Sequence, residues 1–426
     1  MALFAPLRTL TPVQWRAFIA AFLGWCLDAF DFFLVTFVLS RIADEWKLPI
    51  PSVAFGITVA LMFRPLGALI FGTLADRYGR RGPLMVSVLL YSIFELLTGF
   101  SPNFTVFIIL RALYGIAMGG EWGVGAALAL ETLPAQARGI ASGIIQQGYA
   151  TGYLIAAIVY GQLIDHIGWR GMFFVGVLPA LLVLYIRSSV QESPVWAEGN
   201  ARRLSERTNL FTSIVRQPIM YIYAILLMAA FNFMSHGSQD LYPTFLTKQL
   251  GYHPGLVQNI TVVMNIGAIV GGTILGGYSQ QIGRRLTIMI CCVLGALTIF
   301  IWTGAVQFGG SVPVTLAIGA FIMQFFVQGA WGVIPAHLNE LSPGDVRGTF
   351  PGFTYQIGNL ITAYAAQWEA AYATKKFPLP PPATANYGHA MQIIMLGVFA
   401  AVFVLTAIGR ERRGVSFTSE EKPEAA

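Results

Sequence analysis

Long apolar runs separated by short polar segments are the feature that most constrains how this chain folds. Of its 426 residues, 56% are apolar and only 11% are charged. A soluble domain carries roughly 25% charged residues, so this chain has too few charges to cover a folded surface in water. The surplus apolar surface must face lipid, and the sequence predicts an all-α membrane protein.

The apolar runs also predict how many times the chain crosses the membrane. A spanning helix needs roughly 20 apolar residues, which allows about twelve spans in this chain. The predicted spans are 16–40, 53–74, 83–101, 105–130, 139–164, 170–187, 217–243, 257–280, 286–306, 313–338, 348–372 and 388–409. The resulting domains are an N-terminal six-helix bundle (1–190), a cytoplasmic linker (191–215), a C-terminal six-helix bundle (216–410) and a cytoplasmic tail (411–426).

The distribution of charge predicts the orientation in the membrane. The net charge is +6, but the Lys and Arg residues cluster in short segments between apolar runs. Most of these segments fall on one side if the N-terminus is cytoplasmic, which predicts an inner (plasma) membrane protein with both termini inside. Such clusters define topology, so no nucleic-acid partner is expected. The three cysteines lie in apolar runs and predict neither a metal site nor a disulfide framework, and no cofactor is expected.

Three segments of the first half recur in the same order in the second half. They are 72–81 with 276–285, 122–124 with 331–333, and 131–139 with 340–348. Three ordered matches indicate a duplication, and they predict two pseudo-symmetric six-helix halves. Repeats of this kind suit alternating access around a central site.

The repeated segments also carry a family resemblance. The segment 72–81 resembles the loop signature of the major facilitator superfamily, G-x-L-A-D-R-x-G-R-R, whereas the second copy has Gln280 at the acidic position. The first span is similar to the sialate:H+ symporter family. The seventh span, from Asn232 to Thr244, resembles the N-x-x-[ST]-H-x-[ST]-Q-D-x-x-x-T signature of lactate and pyruvate permeases. The resemblance implies twelve helices, with the first, fourth, seventh and tenth lining a cavity, and proton-coupled transport of a monocarboxylate.

Arg64 falls near the middle of the second predicted span. A charge in the hydrocarbon region is expensive unless it is paired or hydrated, so such residues are functional candidates. A guanidinium forms bidentate hydrogen bonds with a carboxylate, and Arg64 is therefore the predicted anchor for an organic anion. The alternative is a structural partner for an acidic residue on a neighbouring helix.

Buried carboxylates of the first half are predicted to carry the proton. Asp28 and Asp31 share one face of the first helix, and two close carboxylates cannot both ionise cheaply. Glu121 has Ala330 as its counterpart in the repeat, so the duplicated scaffold does not require a carboxylate there. The alternative for the two aspartates is a structural pair with Arg111 or with the region of Asn232, and the alternative for Glu121 is neutralisation of Arg111. Glu95 in the third span is expected to be structural.

The seventh span carries a polar stripe on an otherwise apolar helix. Asn232, His236, Gln239 and Asp240 recur at the spacing of one helix face, with Ser235 beside them. A polar stripe in a membrane helix must face a cavity or polar partners. We expect Asn232, Ser235, His236 and Gln239 to bind substrate, and His236 and Asp240 to carry the proton, because histidine titrates in the physiological range. A lone histidine near a helix end is otherwise usually structural.

A further group of charged residues stands at the predicted cytoplasmic ends of the helices. Charge pairs there can close the inner side in one state and separate in the other. The predicted gating residues are Asp76, Arg77, Arg80, Arg81, Glu131, Arg138, Glu340 and Arg347. A role in topology and anchoring alone is the alternative.

The leading hypothesis is a symporter that moves a short monocarboxylate, such as lactate or pyruvate, together with a proton. Its predicted partners are that small organic anion, the proton and the lipid bilayer, and the functional unit is predicted to be a monomer. The alternatives are a symporter of sialic acid or another organic acid, and a membrane sensor that transports nothing. An enzyme is not expected, because the sequence has no nucleophile–base set, metal-ligand cluster or nucleotide loop.

Overall fold

The computed structural model describes residues 2–203, 210–306, 311–380, 383 and 385–417. Within these residues the chain is built of helices, and the sole β-bridge joins Pro378 to Ala385. The helices of the first half are α1 (Pro12–Trp46), α2 (Ile50–Tyr78), α3 (Arg81–Gly99), α4 (Phe104–Met118), α5 (Glu121–Thr132), α6 (Arg138–Gln146), α7 (Gly148–Val175) and α8 (Pro179–Ser189). Two helices, α9 (Pro194–Arg203) and α10 (Leu210–Arg216), lie in the linker. The helices of the second half are α11 (Pro218–Gln239), α12 (Pro254–Ile282), α13 (Arg284–Trp302), α14 (Val312–Trp331), α15 (Ile334–Leu341), α16 (Phe350–Thr362), α17 (Ala365–Lys376) and α18 (Tyr387–Ile408).

These helices form twelve membrane crossings within the described residues. Ten segments are long and apolar enough to cross a membrane, and one of them, Ala135–Ser189, has 55 residues. A straight helix of that length would be about 80 Å long, far more than the roughly 30 Å of the hydrocarbon layer. The backbone leaves helical geometry at Gly168, where φ is 64°, so this segment crosses twice. Helices α16 and α17 supply the remaining crossing, and the predicted fold class is confirmed.

The duplication is visible in matching ion pairs. Arg80 binds Glu131 at 2.9 Å in the first half, and Arg284 binds Glu340 at 2.9 Å in the second. All four side chains have no exposed surface. Each arginine follows a glycine with positive φ, Gly79 at 100° and Gly283 at 107°, which ends the preceding helix. The two halves therefore repeat the same local structure.

Glycines let helix backbones touch inside each half. A Cβ at Gly119 would lie 2.0 Å from the carbonyl oxygen of Arg64, where α4 meets α2. A Cβ at Gly271 would lie 2.0 Å from the carbonyl oxygen of Phe325, where α12 meets α14. Small residues at such crossings are typical of membrane helix packing.

The predicted linker and tail are only partly described. Residues 204–209 of the linker and 418–426 of the tail lie outside the described residues. The described part of the tail, residues 411–417, lies against both halves, as its hydrogen bonds to Arg138 and Arg285 demonstrate. The tail is therefore part of the folded structure at this end of the bundle.

Candidate substrate and proton site

The two halves meet tightly at one end of the bundle, which we call the closed end. This end carries the repeated loops around residues 79 and 283. The Ser142 hydroxyl of the first half donates to the Gly332 carbonyl at 2.7 Å and accepts from the Ala336 amide at 3.0 Å. A cavity of about 430 Å³ lies between the halves, nearer the opposite end. The bundle is thus closed at one end and holds its cavity nearer the other.

The second half gives this cavity a polar wall. The cavity is lined by His236 and Gln239 of α11 and by Asp240, which directly follows that helix. Gln328 of α14 and Asn359 of α16 line it as well. His236 and Asp240 are one helical turn apart, so their side chains meet, and Nδ1 of the imidazole lies 2.9 Å from Oδ2 of the carboxylate. Their side chains are 27% and 37% exposed. This pair presents a titratable group to the cavity.

The rest of the predicted stripe lies behind or below this wall. The Ser235 hydroxyl accepts hydrogen bonds from Gln239 at 3.4 Å and from Gln328 at 3.3 Å, and so holds two lining amides. Asn232 lies one turn deeper, is 2% exposed, and donates to the Met228 carbonyl at 2.9 Å. Asn232 does not line the cavity in this conformation.

The first half gives the cavity an apolar, aromatic wall. Phe33 packs against Tyr153 with ring centroids 4.7 Å apart and against Tyr149 at 5.2 Å. Phe32 of α1 and Leu61 of α2 complete this side. The cavity thus has one polar and one apolar wall, which matches a small molecule with one charged end.

Arg64 and Asp28 lie just beneath the apolar wall. Arg64 is three residues beyond Leu61 on α2, and Asp28 is four residues before Phe32 on α1, so each lies roughly 5 Å deeper on the same helix face. Their residues are 4% and 2% exposed. The Arg64 guanidinium carbon lies 5.1 Å from the centre of the Phe32 ring, and Nη2 lies 2.7 Å from the Met118 sulfur. Phe32 therefore contacts both the cavity and Arg64.

Glu121 joins this buried group from α5. Its Oε1 lies against Gly24, where a Cβ would be only 2.1 Å away, so the glycine makes room for the carboxylate. Asp28 and Glu121 both interact electrostatically with Arg64 and with each other. One arginine thus balances two carboxylates, and neither carboxylate forms a direct ion pair with it in the described structure.

Asp31 belongs to a second buried group. Arg111 donates to Glu95 at 2.7 Å, and both side chains have no exposed surface. Asp31 interacts electrostatically with this pair and with Asp28, and neither of its carboxylate oxygens has a hydrogen-bond partner among the described residues. The direct ion-pair partner of Arg111 is therefore Glu95.

An aromatic cluster separates the cavity from the closed end. Trp122 and Tyr355 pack with centroids 4.7 Å apart, and Trp331 lies 5.8 Å from the same tyrosine. Trp25 completes the cluster at 6.4 Å from Tyr355. Sequence reasoning noted Trp122 and Trp331 as repeat positions but missed that both pack on Tyr355.

Asp76 ties the two halves together at the closed end. Its carboxylate accepts hydrogen bonds from the Gly348 amide at 2.7 Å, the Thr349 amide at 3.0 Å and the Thr349 hydroxyl at 2.5 Å. Arg80 holds the carboxylate from its own half at 2.9 Å. The repeat counterpart, Gln280, instead accepts from Arg284 of its own half at 2.6 Å.

The other predicted gating residues lie at the same end with different contacts. Arg81 donates to the carbonyls of Ile186 and Arg187, and Arg77 is exposed beside Tyr78. Arg138 donates to the Val415 carbonyl of the tail at 2.7 Å. Arg138 and Arg347 also flank the Phe417 ring, with guanidinium carbons 3.5 and 4.0 Å from its centre. Sequence reasoning missed this use of the tail.

Comparison with known proteins places the chain in a family. Residues 21–366 match the model of the Major Facilitator Superfamily. The chain is 32% identical to the "Carboxylic acid transporter protein homolog" of Saccharomyces cerevisiae, over 95% of this chain and 70% of that protein. It is 31% identical to the "Sialic acid transporter NanX" of Escherichia coli, over 82% of this chain and 85% of that protein.

Solved structures agree on the fold. The proton:xylose symporter XylE aligns with a TM-score of 0.76 over 94% of this chain and 97% of that one, at 17% identity. The human organic anion transporter MFSD10 aligns with a TM-score of 0.68 over 93% of this chain and 100% of that one, at 15% identity. At these identities the likeness concerns the fold alone. The chain belongs to the major facilitator superfamily, and it is a multi-pass membrane transporter and not an enzyme.

Proposed function

We propose that this protein is a proton-coupled symporter of a short monocarboxylate, with lactate or pyruvate as the first candidates. The single observation that carries the proposal is the His236–Asp240 pair, which is exposed to a cavity between the two halves. A protonated imidazole is a cation that can bind a carboxylate, and a neutral one releases it. Proton binding and anion binding therefore depend on each other at one place.

The lining of the cavity fits the two ends of such a substrate. The carboxylate would accept hydrogen bonds from His236 and from the amides of Gln239, Gln328 and Asn359. The short apolar end would pack against Phe32 and the aromatic wall of the first half. A hydroxyl or keto group next to the carboxylate would find further amide donors, which is the chemical distinction between lactate or pyruvate and a simple fatty acid.

Moving one proton with one anion leaves the cargo electrically neutral. An anion alone would be opposed by an inside-negative membrane potential, at about 2.3 kcal/mol for each 100 mV. A bound proton removes this penalty. Coupling therefore allows the pH difference across the membrane to drive accumulation.

The buried charges of the first half are proposed to take part as the halves rock. The Arg64 guanidinium packs against Phe32, so rotation of that ring would uncover the guanidinium for the substrate carboxylate. Asp28 and Glu121 would then lose part of the positive charge that balances them. Asp31 would be affected indirectly, because it interacts electrostatically with Asp28. Carboxylates that lose a cation bind protons more tightly. Arg64 is thus the proposed second anion contact, and these three carboxylates are the proposed proton acceptors of the first half.

The closed end is proposed to be cytoplasmic, in an inner (plasma) membrane with both termini inside. Its inter-half contacts at Asp76 and Ser142, and the network around Arg80, Glu131, Arg284 and Glu340, would form the inner gate. The conformation described here is then outward-facing, with the site ready to load from outside. The protein is proposed to act as a monomer.

Relatives support an organic acid as cargo but leave its identity to experiment. Besides the carboxylic acid and sialic acid transporters, a "Probable 4-methylmuconolactone transporter" of Cupriavidus pinatubonensis is 30% identical over 85% of this chain. Sialic acid is accordingly the second candidate. Purified protein in liposomes should take up labelled lactate, and unlabelled pyruvate should compete while unlabelled sialic acid should not. Uptake of sialic acid without uptake of lactate would contradict the monocarboxylate assignment.

A further inference from the structure

Glu369 is a buried carboxylate that the sequence analysis did not single out. It lies on α17, is 2% exposed, and neither carboxylate oxygen has a hydrogen-bond partner among the described residues. An ionised carboxylate without a partner is costly to bury, so a carboxylate in such a position is stable mainly when it holds a proton or a counter-charge.

The position of Glu369 connects it to the proposed proton site. Helix α17 packs against α11 and α18. Ala365, one turn before Glu369 and on the same helix face, lines the cavity, and so does Gln367. The neighbouring Trp368 stacks on Phe233 of α11 with centroids 6.0 Å apart, which fixes the two helices against each other.

Asp240, the partner of His236, is the charged group with which Glu369 interacts electrostatically. From α18, His389 is exposed and contacts Phe377, and Lys375 and Lys376 of α17 itself are exposed. Glu369 is therefore a sealed carboxylate that interacts with the partly exposed His236–Asp240 pair. Two interacting carboxylates are costly to ionise together when one of them is buried.

We propose that Glu369 is the third member of the proton-binding site and shares the transported proton with Asp240. The shared proton is held more tightly than the His236–Asp240 pair would hold it alone. Glu369 does not line the cavity, so it acts on the proton and not on the anion. This inference rests on the proposed proton-coupled function.

The test is the pH dependence of substrate uptake by Glu369→Gln in liposomes. Removing the second carboxylate weakens proton binding, so the midpoint of uptake should move to lower pH by about one unit, which is a tenfold change in proton affinity. Exchange of labelled for unlabelled substrate at equal pH should persist, because the anion contacts remain. Glu198→Gln, which changes an exposed linker carboxylate, should keep the native midpoint.

Each outcome separates this inference from the proposed function. A native midpoint in Glu369→Gln would overturn the role of Glu369 while native uptake remained driven by the pH gradient. Native uptake that ignored the gradient would instead overturn the proposed function. Glu369→Asp keeps a carboxyl group and should keep the native midpoint, and a shift as large as that of Glu369→Gln would also count against the inference.

The C-terminal tail crosses the closed end from the second half to the first. On the second half, Glu411 accepts from the Arg285 amide at 3.0 Å, and the Gly414 amide donates to Glu340 at 3.3 Å. The backbone then turns at Gly414, where φ is 76°. On the first half, Arg138 donates to the Val415 carbonyl at 2.7 Å.

Phe417 fixes the end of this crossing. The residue is 8% exposed and packs with Leu130 of α5 and Val195 of the linker. Its ring lies between the guanidinium groups of Arg138, from the first half, and Arg347, from the second. A cation over a desolvated aromatic ring is attracted to it, so Phe417 contacts one arginine of each half favourably.

We infer that residues 411–417 form a strap that holds the closed end shut and must leave Arg138 or Arg347 when that end opens. The probe is a cysteine placed at Ala336, which has no exposed surface between the halves. A thiol reagent labels this cysteine only when the closed end opens, and the three native cysteines, all buried, give the background.

Phe417→Ala should raise the labelling rate of this cysteine several-fold, because both cation–ring contacts are lost. Phe417→Tyr keeps the ring and should label at the native rate. Phe403→Ala, which removes an exposed ring on α18, should also label at the native rate. An unchanged rate in Phe417→Ala, or an equal increase in Phe403→Ala, would overturn the strap.

Discussion

The two halves share a fold, but the first half seals the charges proposed to bind anion and proton, whereas the second half exposes its His236–Asp240 pair to the cavity. In the first half, Asp28, Asp31, Arg64, Glu95, Arg111 and Glu121 are all between 0% and 4% exposed. In the second half, the side chains of His236 and Asp240 are 27% and 37% exposed on the cavity wall. In this conformation, therefore, solvent reaches the titratable pair of the second half while the charges of the first half depend on one another. The duplicated scaffold thus holds a solvent-accessible pair in one half and a sealed group of charges in the other.

This difference in exposure indicates which half is expected to bind the proton and the anion first. An exposed pair can exchange a proton with solvent without any movement of the protein. Sealed charges can change their protonation only when their neighbours move or when water enters. The second half is thus placed to receive the proton and the anion, and the first half is placed to respond to them.

The largest expected effect comes from removing the cation of the first half. Arg64→Gln leaves Asp28 and Glu121 buried without the charge that balances them, and this should destabilise the protein by about 3 kcal/mol. Thermal unfolding in detergent measures the loss. The double variant Arg64→Gln with Asp28→Asn removes one surplus charge and should recover part of the stability. Equal stability of native and Arg64→Gln protein would contradict the claim that the buried carboxylates of the first half depend on Arg64 for charge balance.

Removing the imidazole of the second half should impair transport and leave the fold intact. His236→Ala loses a charge-assisted hydrogen bond to the anion, which corresponds to about a tenfold to hundredfold fall in uptake at low substrate concentration. Stability should change little, because the side chain is partly solvated. His389→Ala, an exposed histidine on α18, is the matched control and should transport normally. A native uptake rate in His236→Ala would remove the histidine from the site.

A smaller effect is expected at the closed end, where Asp76 of the first half can be compared with its repeat counterpart Gln280 of the second. Asp76→Asn weakens three hydrogen bonds between the halves and should raise labelling of a cysteine at Ala336 about fivefold, as expected for roughly 1 kcal/mol. Gln280→Ala changes the repeat counterpart, whose described hydrogen bond stays within its own half, and should label at the native rate. Equal increases in the two variants would mean that the repeat positions act alike.

The smallest expected effect is at the amide wall. Gln239→Ala removes one neutral hydrogen bond to the substrate and should raise the KM for uptake about threefold with little change in maximal rate. Concentration-dependent uptake gives both parameters. Asn232→Ala, one turn deeper on the same helix, should leave the KM unchanged if only the cavity-lining part of the stripe contacts substrate. A larger effect for Asn232→Ala would show that substrate reaches below the described cavity.

The sequence predicted the fold well because its signals are local and physical. Apolar length fixes the membrane spans, and the repeated segments fix the pseudo-symmetry that the Arg80–Glu131 and Arg284–Glu340 pairs display. The stripe on α11 was recognisable from its spacing, and His236, Gln239 and Asp240 do line the cavity. The depth of a side chain in the membrane was also predictable from its position within a span, since Arg64 and Asp28 lie at similar depths beneath the cavity.

Contacts between distant segments could not be read in the same way. Nothing local to Glu369 indicates that it faces Asp240, because that depends on how α17 packs against α11. The tail reads as a short polar segment, and only the fold reveals that Phe417 enters between two arginines. Phe32, which covers Arg64, is one apolar residue among many in its span. Helix rotation and conformational state decide such contacts, and neither is encoded in a local pattern.

The most direct test of the central claim is accumulation of labelled lactate in liposomes under an imposed pH gradient, acidic outside. The account predicts that native protein concentrates lactate above the external level only while the gradient lasts. His236→Ala should fail to do so, and His389→Ala should behave as native. Accumulation that ignores the gradient, or that survives in His236→Ala, would contradict a transported anion and proton that meet at the His236–Asp240 pair.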